Sequence, residues 1–285
     1  MKKILVMGSA GMAGHQIALY LKEADYCVTG FSLLKNPLID GFVGDALNFD
    51  FVKKIICDGG YDYVINCIGI LNQFAENNHP DAVLLNSYLP HFLAHITKDL
   101  KTRIIHMSTD CVFSGKKGNY QKNDVRDGET FYDRTKALGE LDDDKNTTLR
   151  NSIVGPDINE NGIGLLNWFM KQSGAIKGYT GVVWTGQTTL QLAKTMDHVM
   201  KNEITGLYNS VPNKSITKYE LLNLFNHYLR NDKIIINAVE GVSLNKSLIS
   251  TPISDNYEIP DYETMVSEMA KWVKEHKELY PHYGL

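Results

Sequence analysis

Three glycines, Gly8, Gly11 and Gly14, follow the apolar run Ile4–Met7 and open a stretch with helical spacing that continues through Glu23. Few folds tolerate a strand, a glycine turn and a helix in that order. The arrangement leaves the first amides of the helix unpaired, and the helix dipole favours negative charge beside them. Glycine also lets the backbone approach a ligand closely. Gly8, Gly11, Met12 and Gly14 are therefore expected to receive the pyrophosphate of a nucleotide.

The rest of the first half repeats the same alternation. Cys27–Phe31, Tyr63–Cys67, Arg103–Met107 and a segment near Thr147–Asn151 read as buried strands. Between them, Phe49–Cys57, Asn86–Leu100 and Phe131–Leu141 carry apolar positions at helical spacing. Strand–helix alternation predicts an α/β fold: a Rossmann-type, doubly wound parallel sheet with helices on both faces. The expected division is a dinucleotide-binding domain over 1–150, rejoined by 187–211, and a smaller α/β substrate lobe from 151–186 and 212–285. In that lobe Gly164–Gln172 suggests a short helix, and Thr217-Lys218-Tyr219-Glu220 reads as a capping box opening another. Met265, Met269, Trp272, Val273 and His276 form a stripe expected to be core.

Composition narrows the function classes. The 285 residues are 43% hydrophobic and 22% charged, ordinary for a soluble globular protein. A net charge of −4 and the absence of a long basic run argue against nucleic acid as the partner. Cys27, Cys57, Cys67 and Cys111 show no zinc-ligand spacing, so no metal site is expected. Lys2 and Lys3 precede an apolar run that stops at Gly8, too short for a secretory core, and no later segment reads as a membrane span. A soluble, cytoplasmic protein is expected, with a homodimer left open.

Chemistry enters with Tyr132-Asp133-Arg134-Thr135-Lys136, where phenol and amine lie four residues apart and share a helix face. A phenol needs its pKa brought down from about 10 to be a useful acid near neutrality, and a nearby ammonium supplies such a shift. Upstream, the strand Arg103–Met107 ends in Ser108-Thr109-Asp110-Cys111-Val112-Phe113. Ligands of doubly wound sheets bind beyond the carboxyl ends of the strands, so a hydroxyl there faces the crevice.

The GxxGxxG turn with these two segments resembles the extended short-chain dehydrogenases/reductases. Within them, Ser108–Phe113 is similar to the Ser-Thr-Asp-Tyr-Val-Phe signature of the dTDP-4-dehydrorhamnose reductases, with Cys111 at the aromatic position. That resemblance makes Thr109, Tyr132 and Lys136 the catalytic set, with Tyr132 and Lys136 also touching the cofactor. It places Cys67, Ile68, Gly69 and Asn86 beside the cofactor. Asp45 looks like the acidic residue that contacts the adenine amino group. On the substrate side it implies Thr109, Asp110, Val112 and Phe113, with Trp168, Trp184 and Gln187 as further candidates from the lobe. Arg150–Gly155 looks like the segment leading into that lobe. Two positions depart from the pattern: Ile153 stands where the family usually has tryptophan, and Thr188 where it has proline.

The implied activity is NADPH-dependent reduction of the C4 keto group of a nucleotide-linked 6-deoxy-4-ketohexose. The second strand ends in Phe31-Ser32-Leu33-Leu34-Lys35, without the carboxylate that binds ribose hydroxyls in NAD-preferring relatives. Ser32 and Lys35 could instead meet a 2′-phosphate, although NADH stays open. An epimerase or dehydratase of the same superfamily is a rival, but a dehydratase would need glutamate where Cys111 stands. A non-catalytic NADP-binding regulatory subunit is the other rival, for which the trio Thr109, Tyr132 and Lys136 would have no use.

Overall fold

The computed structural model describes all 285 residues. Seven parallel strands form its central sheet: β1 (Lys3–Met7), β2 (Cys27–Ser32), β3 (Gly41–Val43), β4 (Tyr63–Asn66), β5 (Arg103–Ser108), β6 (Thr147–Arg150) and β7 (Gly206–Asn209). Their order across the sheet is β7-β6-β5-β4-β1-β2-β3. The chain thus runs outward from β1 in one direction and resumes beside it in the other. That reversal opens a crevice at the carboxyl ends of β1 and β4.

Alternation along β1 shows why both sheet faces are covered. Leu5 and Met7 pack with Val52, Ile55 and Ile56 of α2 (after α1, Met12–Glu23; α2 spans Phe49–Gly59) and with Leu89 and Leu93 of α3 (Leu89–Ile96). Ile4 and Val6 point the other way, into a larger core of 40 residues that includes Ile17 and Leu21 of α1. That same core takes Met196, Leu221, Phe225, Met265 and Val273 from the second half of the chain. The C-terminal helices therefore share one continuous core with the sheet and α1.

The expected Asn86–Leu100 helix is shorter than its sequence pattern. A π-helical turn covers Val83–Tyr88, and α-helix resumes only at Leu89. Pro90 explains the break, because it has no N–H to donate to the Asn86 carbonyl four residues back. The next helix, α4 (Phe131–Leu138), is closed at its start by a capping box between Thr130 and Asp133. After α5 (Thr189–Lys201), the capping box expected at Thr217 and Glu220 opens α6 (Lys218–Arg230). The Met265–Val273 stripe is buried on α7 (Tyr262–Glu275). Short strands complete the second half: 152–154 pairs with 186–188, and 175–179 with 235–239. No helix is long and apolar enough to cross a membrane.

Candidate active site

The glycine turn shapes one end of the crevice. Gly8 adopts φ +80°, a left-handed conformation that side chains disfavour, and a Cβ there would lie 3.2 Å from the Cys67 carbonyl carbon. At Gly14 a Cβ would fall 2.1 Å from the Gly8 carbonyl oxygen, so α1 can approach β1 only with hydrogen at that position. Gly11 differs. Its backbone is extended (φ −85°, ψ 171°), a conformation that any residue adopts. What its missing side chain leaves is space, since Gly11 and Met12 line the crevice and no side chain caps the N-terminus of α1. The first amides of that helix keep free donors.

Cys67, Ile68 and Gly69 continue the wall beyond β4. Asn86 stands buried behind them, its Oδ1 accepting from Ile70 N (2.8 Å) and its Nδ2 donating to Ile70 O (2.9 Å). The same Nδ2 donates to Thr135 Oγ1 on α4 (3.1 Å), while Ser87 Oγ donates to the Thr135 carbonyl (2.7 Å). The π turn aims these consecutive side chains at one helix. Asn86 thereby fixes the β4 loop and the Tyr132–Lys136 helix to each other.

Beyond β5, Thr109, Tyr132 and Lys136 lie on the wall of one cavity of about 960 Å³, which reaches back to Gly8–Gly14. The N-terminus of α4 is held by Glu76, whose carboxylate accepts from Tyr132 N (3.0 Å). Burial drives the Tyr132 phenol well above its ordinary range, the Cys111 thiol acts in the same sense, and the Thr109 hydroxyl opposes them. The expected lowering of this phenol by Lys136 is not what governs it here; burial does. Lys136 Nζ donates to the Met107 carbonyl (2.7 Å). Its own pKa is pulled down to about 8 by burial, against the nearby Glu140 carboxylate. Thr109 Oγ1 donates to Asp110 Oδ1 (3.1 Å) and accepts from Cys111 N (3.1 Å). Burial raises the Asp110 carboxyl above the usual range, with Lys246 and Lys218 acting in the opposite sense.

Other sequence candidates lie elsewhere. Ser32, Lys35 and Asp45 sit off this cavity near the ends of β2 and β3: Ser32 Oγ donates to the Leu34 carbonyl (2.6 Å), Lys35 is exposed, and Asp45 accepts from Leu47 N (2.9 Å). Val112 and Phe113 are a correction to the substrate set, because both are fully buried with Tyr120, Val211 and Leu248, and Phe113 stacks on Tyr120. Trp184 is likewise core, packed against Tyr262 with Lys218 Nζ 4.8 Å above its ring. Gln187 is consumed internally, donating to Ser210 and accepting from Thr195. Trp168 is exposed on the helix Leu165–Met170 and does not line the cavity. Asp110 does line it. The wall also contains Asn151–Ser152, from the Arg150–Gly155 segment, and residues that sequence reasoning did not single out: Ile70–Asn72, Phe74, Asp157 and Asn161–Ile163.

A family profile described as the RmlD substrate binding domain matches residues 1–248. The chain belongs to that family. Among curated relatives, the probable low-salt glycan biosynthesis reductase Agl14 of Haloferax volcanii is 30% identical over 139 residues, 47% of this chain and 46% of that protein. The matched region therefore spans less than half of that relative. The methionine adenosyltransferase 2 subunit beta of Xenopus laevis is 24% identical over 237 residues, covering 77% of this chain and 70% of its own. In three dimensions, the dTDP-4-dehydrorhamnose reductase of Bacillus anthracis, solved in complex with NADP, superposes with a TM-score of 0.79 at 17% identity over 94% of this chain and 98% of that one. Thr188 is the N-cap of α5, and its side chain accepts from Gln191 N (3.1 Å).

Proposed function

We propose that this protein reduces the C4 keto group of a nucleotide-linked 6-deoxy-4-ketohexose with NADPH. The observation that carries the reading is the convergence of Thr109, Tyr132 and Lys136 on one cavity that continues to the glycine turn. The residues present fit a dinucleotide: hydrogen at Gly14 permits the close turn, and the uncapped start of α1 offers amides to a pyrophosphate. When bound, the reduced nicotinamide would supply the hydride.

The chain's own residues manage the proton. The buried Tyr132 phenol is protonated at neutral pH and can give its proton to a carbonyl oxygen becoming an alkoxide, although burial makes it a weaker acid and so puts the weight on what stabilises the phenolate. Thr109, by turning its hydroxyl from Asp110, can donate to that same oxygen. Lys136 is mostly an ammonium at pH 7 and would favour the phenolate left after transfer. The apolar wall of Ile68, Ile70 and Ile153 limits water around the developing charge.

The match over most of the chain to methionine adenosyltransferase 2 subunit beta favours a second reading, a subunit that binds the nucleotide without turning over. A screen of dTDP-, UDP- and GDP-linked 4-keto sugars with NADPH and NADH separates the two. The proposed enzyme oxidises NADPH faster than NADH with at least one sugar, and Ser32→Asp shifts that ratio toward NADH. Tight cofactor binding without oxidation across the panel would favour the subunit.

A further inference from the structure

Two 3-10 turns, Lys277–Leu279 and Pro281–Tyr283, leave Tyr280 between them, and this segment reaches two separate parts of the cavity wall. On one side stands His15 of α1, fully buried, whose pKa burial pulls down to about 4, so its ring is neutral. A carbonyl can only accept, so His15 Nδ1 carries the proton and donates to Gly11 O (3.0 Å). Nε2 must then accept, and Tyr280 Oη donates to it (2.9 Å). Gly11 O and Met12 N share one planar trans peptide, so holding the carbonyl aims the first amide of α1. Gly11 and Met12 both line the cavity.

On the other side Tyr283 Oη accepts from Asp157 N (2.9 Å). His282 Nε2 donates to Asn167 Oδ1 (3.2 Å), and Asn167 Nδ2 reaches the carbonyls of Asn159 (3.1 Å), Glu160 (3.0 Å) and Gly162 (2.9 Å). The loop so held contributes Asp157, Asn159 and Asn161–Gly164 to the wall. Loop and glycine turn meet at Gly164, where a Cβ would lie 2.8 Å from Met12 Sδ. The rings of Tyr280 and Tyr283 stack with centroids 5.6 Å apart, which joins the two ends of the segment. Tyr280, His282 and Tyr283 do not line the cavity themselves; they act through His15, Asn167 and the Asp157 amide. We infer that these three are positioning residues, a clasp that holds the glycine turn and the 157–164 loop at the spacing a dinucleotide pyrophosphate requires. The inference rests on the cofactor reading above and adds to it the element that sets the turn.

Calorimetric titration with two nucleotides tests it: NADP⁺, and 2′,5′-ADP, which keeps the adenosine and its 2′-phosphate but lacks the pyrophosphate bridge and the nicotinamide. Tyr280→Phe and Tyr283→Phe each remove one hydroxyl and keep the stacked ring. Each should weaken NADP⁺ about fivefold, as one lost buried hydrogen bond implies, and leave 2′,5′-ADP unchanged. Either change alone releases the spacing, so the double variant should bind NADP⁺ no more weakly than the single ones. His282 is only half-buried, so its variants keep the test open should the tyrosine variants not fold. His282→Leu should weaken NADP⁺ in the same selective way, and His282→Gln, which keeps a donor for Asn167 Oδ1, should recover it. Equal weakening of both nucleotides, losses that add in the double variant, no rescue by glutamine, or unchanged NADP⁺ affinity would overturn the inference. Wild-type protein that binds neither nucleotide would overturn the cofactor reading together with it.

Discussion

Tyr132 and Lys136 share one helical turn of α4 yet experience burial in opposite ways. Removing water favours the neutral form of each, so the phenol rises and the amine falls to about 8. The two shifts make separate predictions. Tyr132→Phe removes the proton donor and keeps the ring, so kcat should drop by about 10²–10⁴ while the dissociation constant for NADP⁺ holds; near-normal turnover would remove Tyr132 from the role. Lys136 costs stability wherever it is charged in both states. Its folded pKa of about 8 lies below the ordinary lysine value of 10.5, so the penalty is full below pH 8 and fades as pH rises through 8 to 10.5. The bond from Lys136 to Met107 O partly offsets that penalty. Lys136→Met should therefore gain stability relative to wild type at pH 7 and lose that gain by pH 10, with activity lost. Urea titrations at both pH values check it, and a gain that grows with pH would contradict the account.

At the scale of elements, the strand–turn–helix unit and α4 were legible because their signals are local. Gly8, Gly11 and Gly14 are consecutive features of one turn, and the Tyr-x-x-x-Lys spacing needs only a helix to bring its two residues to one face. Val112, Phe113, Trp184 and Gln187 were misread because large apolar and amide side chains look alike in sequence whether they meet a ligand or each other. Only the fold shows Phe113 stacked on Tyr120 and Gln187 bonded to Ser210. Asn151 entered only as part of the Arg150–Gly155 segment, because a single asparagine carries no pattern until its burial is seen. The geometry of the turn also sorts its glycines. Gly11→Val meets the Gly8 carbonyl oxygen at 3.3 Å and otherwise projects into open space. It should stay within about 0.5 kcal/mol of wild-type stability but weaken NADP⁺ by ~10-fold or more, equivalent to ~1.4 kcal/mol. Unchanged affinity by calorimetry would reduce Gly8–Gly14 to a structural turn.

Across the whole molecule, the second half was hard to read because its strands are short and its helices bury their stripes in the core that β1, β4 and β5 begin. That sharing has a use. The cavity takes part of its lining from the ends of the sheet strands and part from Asp157–Gly164, so Thr109, Tyr132 and Lys136 are set between regions held by one core. A buried network extends the tie: Glu140 accepts from Ser108 Oγ at the end of β5 (2.6 Å) and from Arg150 of β6 (2.7 and 2.8 Å), and Arg150 also donates to Asn209 of β7 (2.9 Å). Such a frame suits a reaction in which three groups must meet one carbonyl. The most direct test is to follow the hydrogen itself, using NADPH deuterated at the nicotinamide C4 and mass spectrometry with NMR of the sugar product. Deuterium at C4 of a reduced sugar nucleotide, abolished by Tyr132→Phe, is the predicted result; saturable NADP⁺ binding with no deuterium in any sugar of the dTDP, UDP and GDP panel would contradict it.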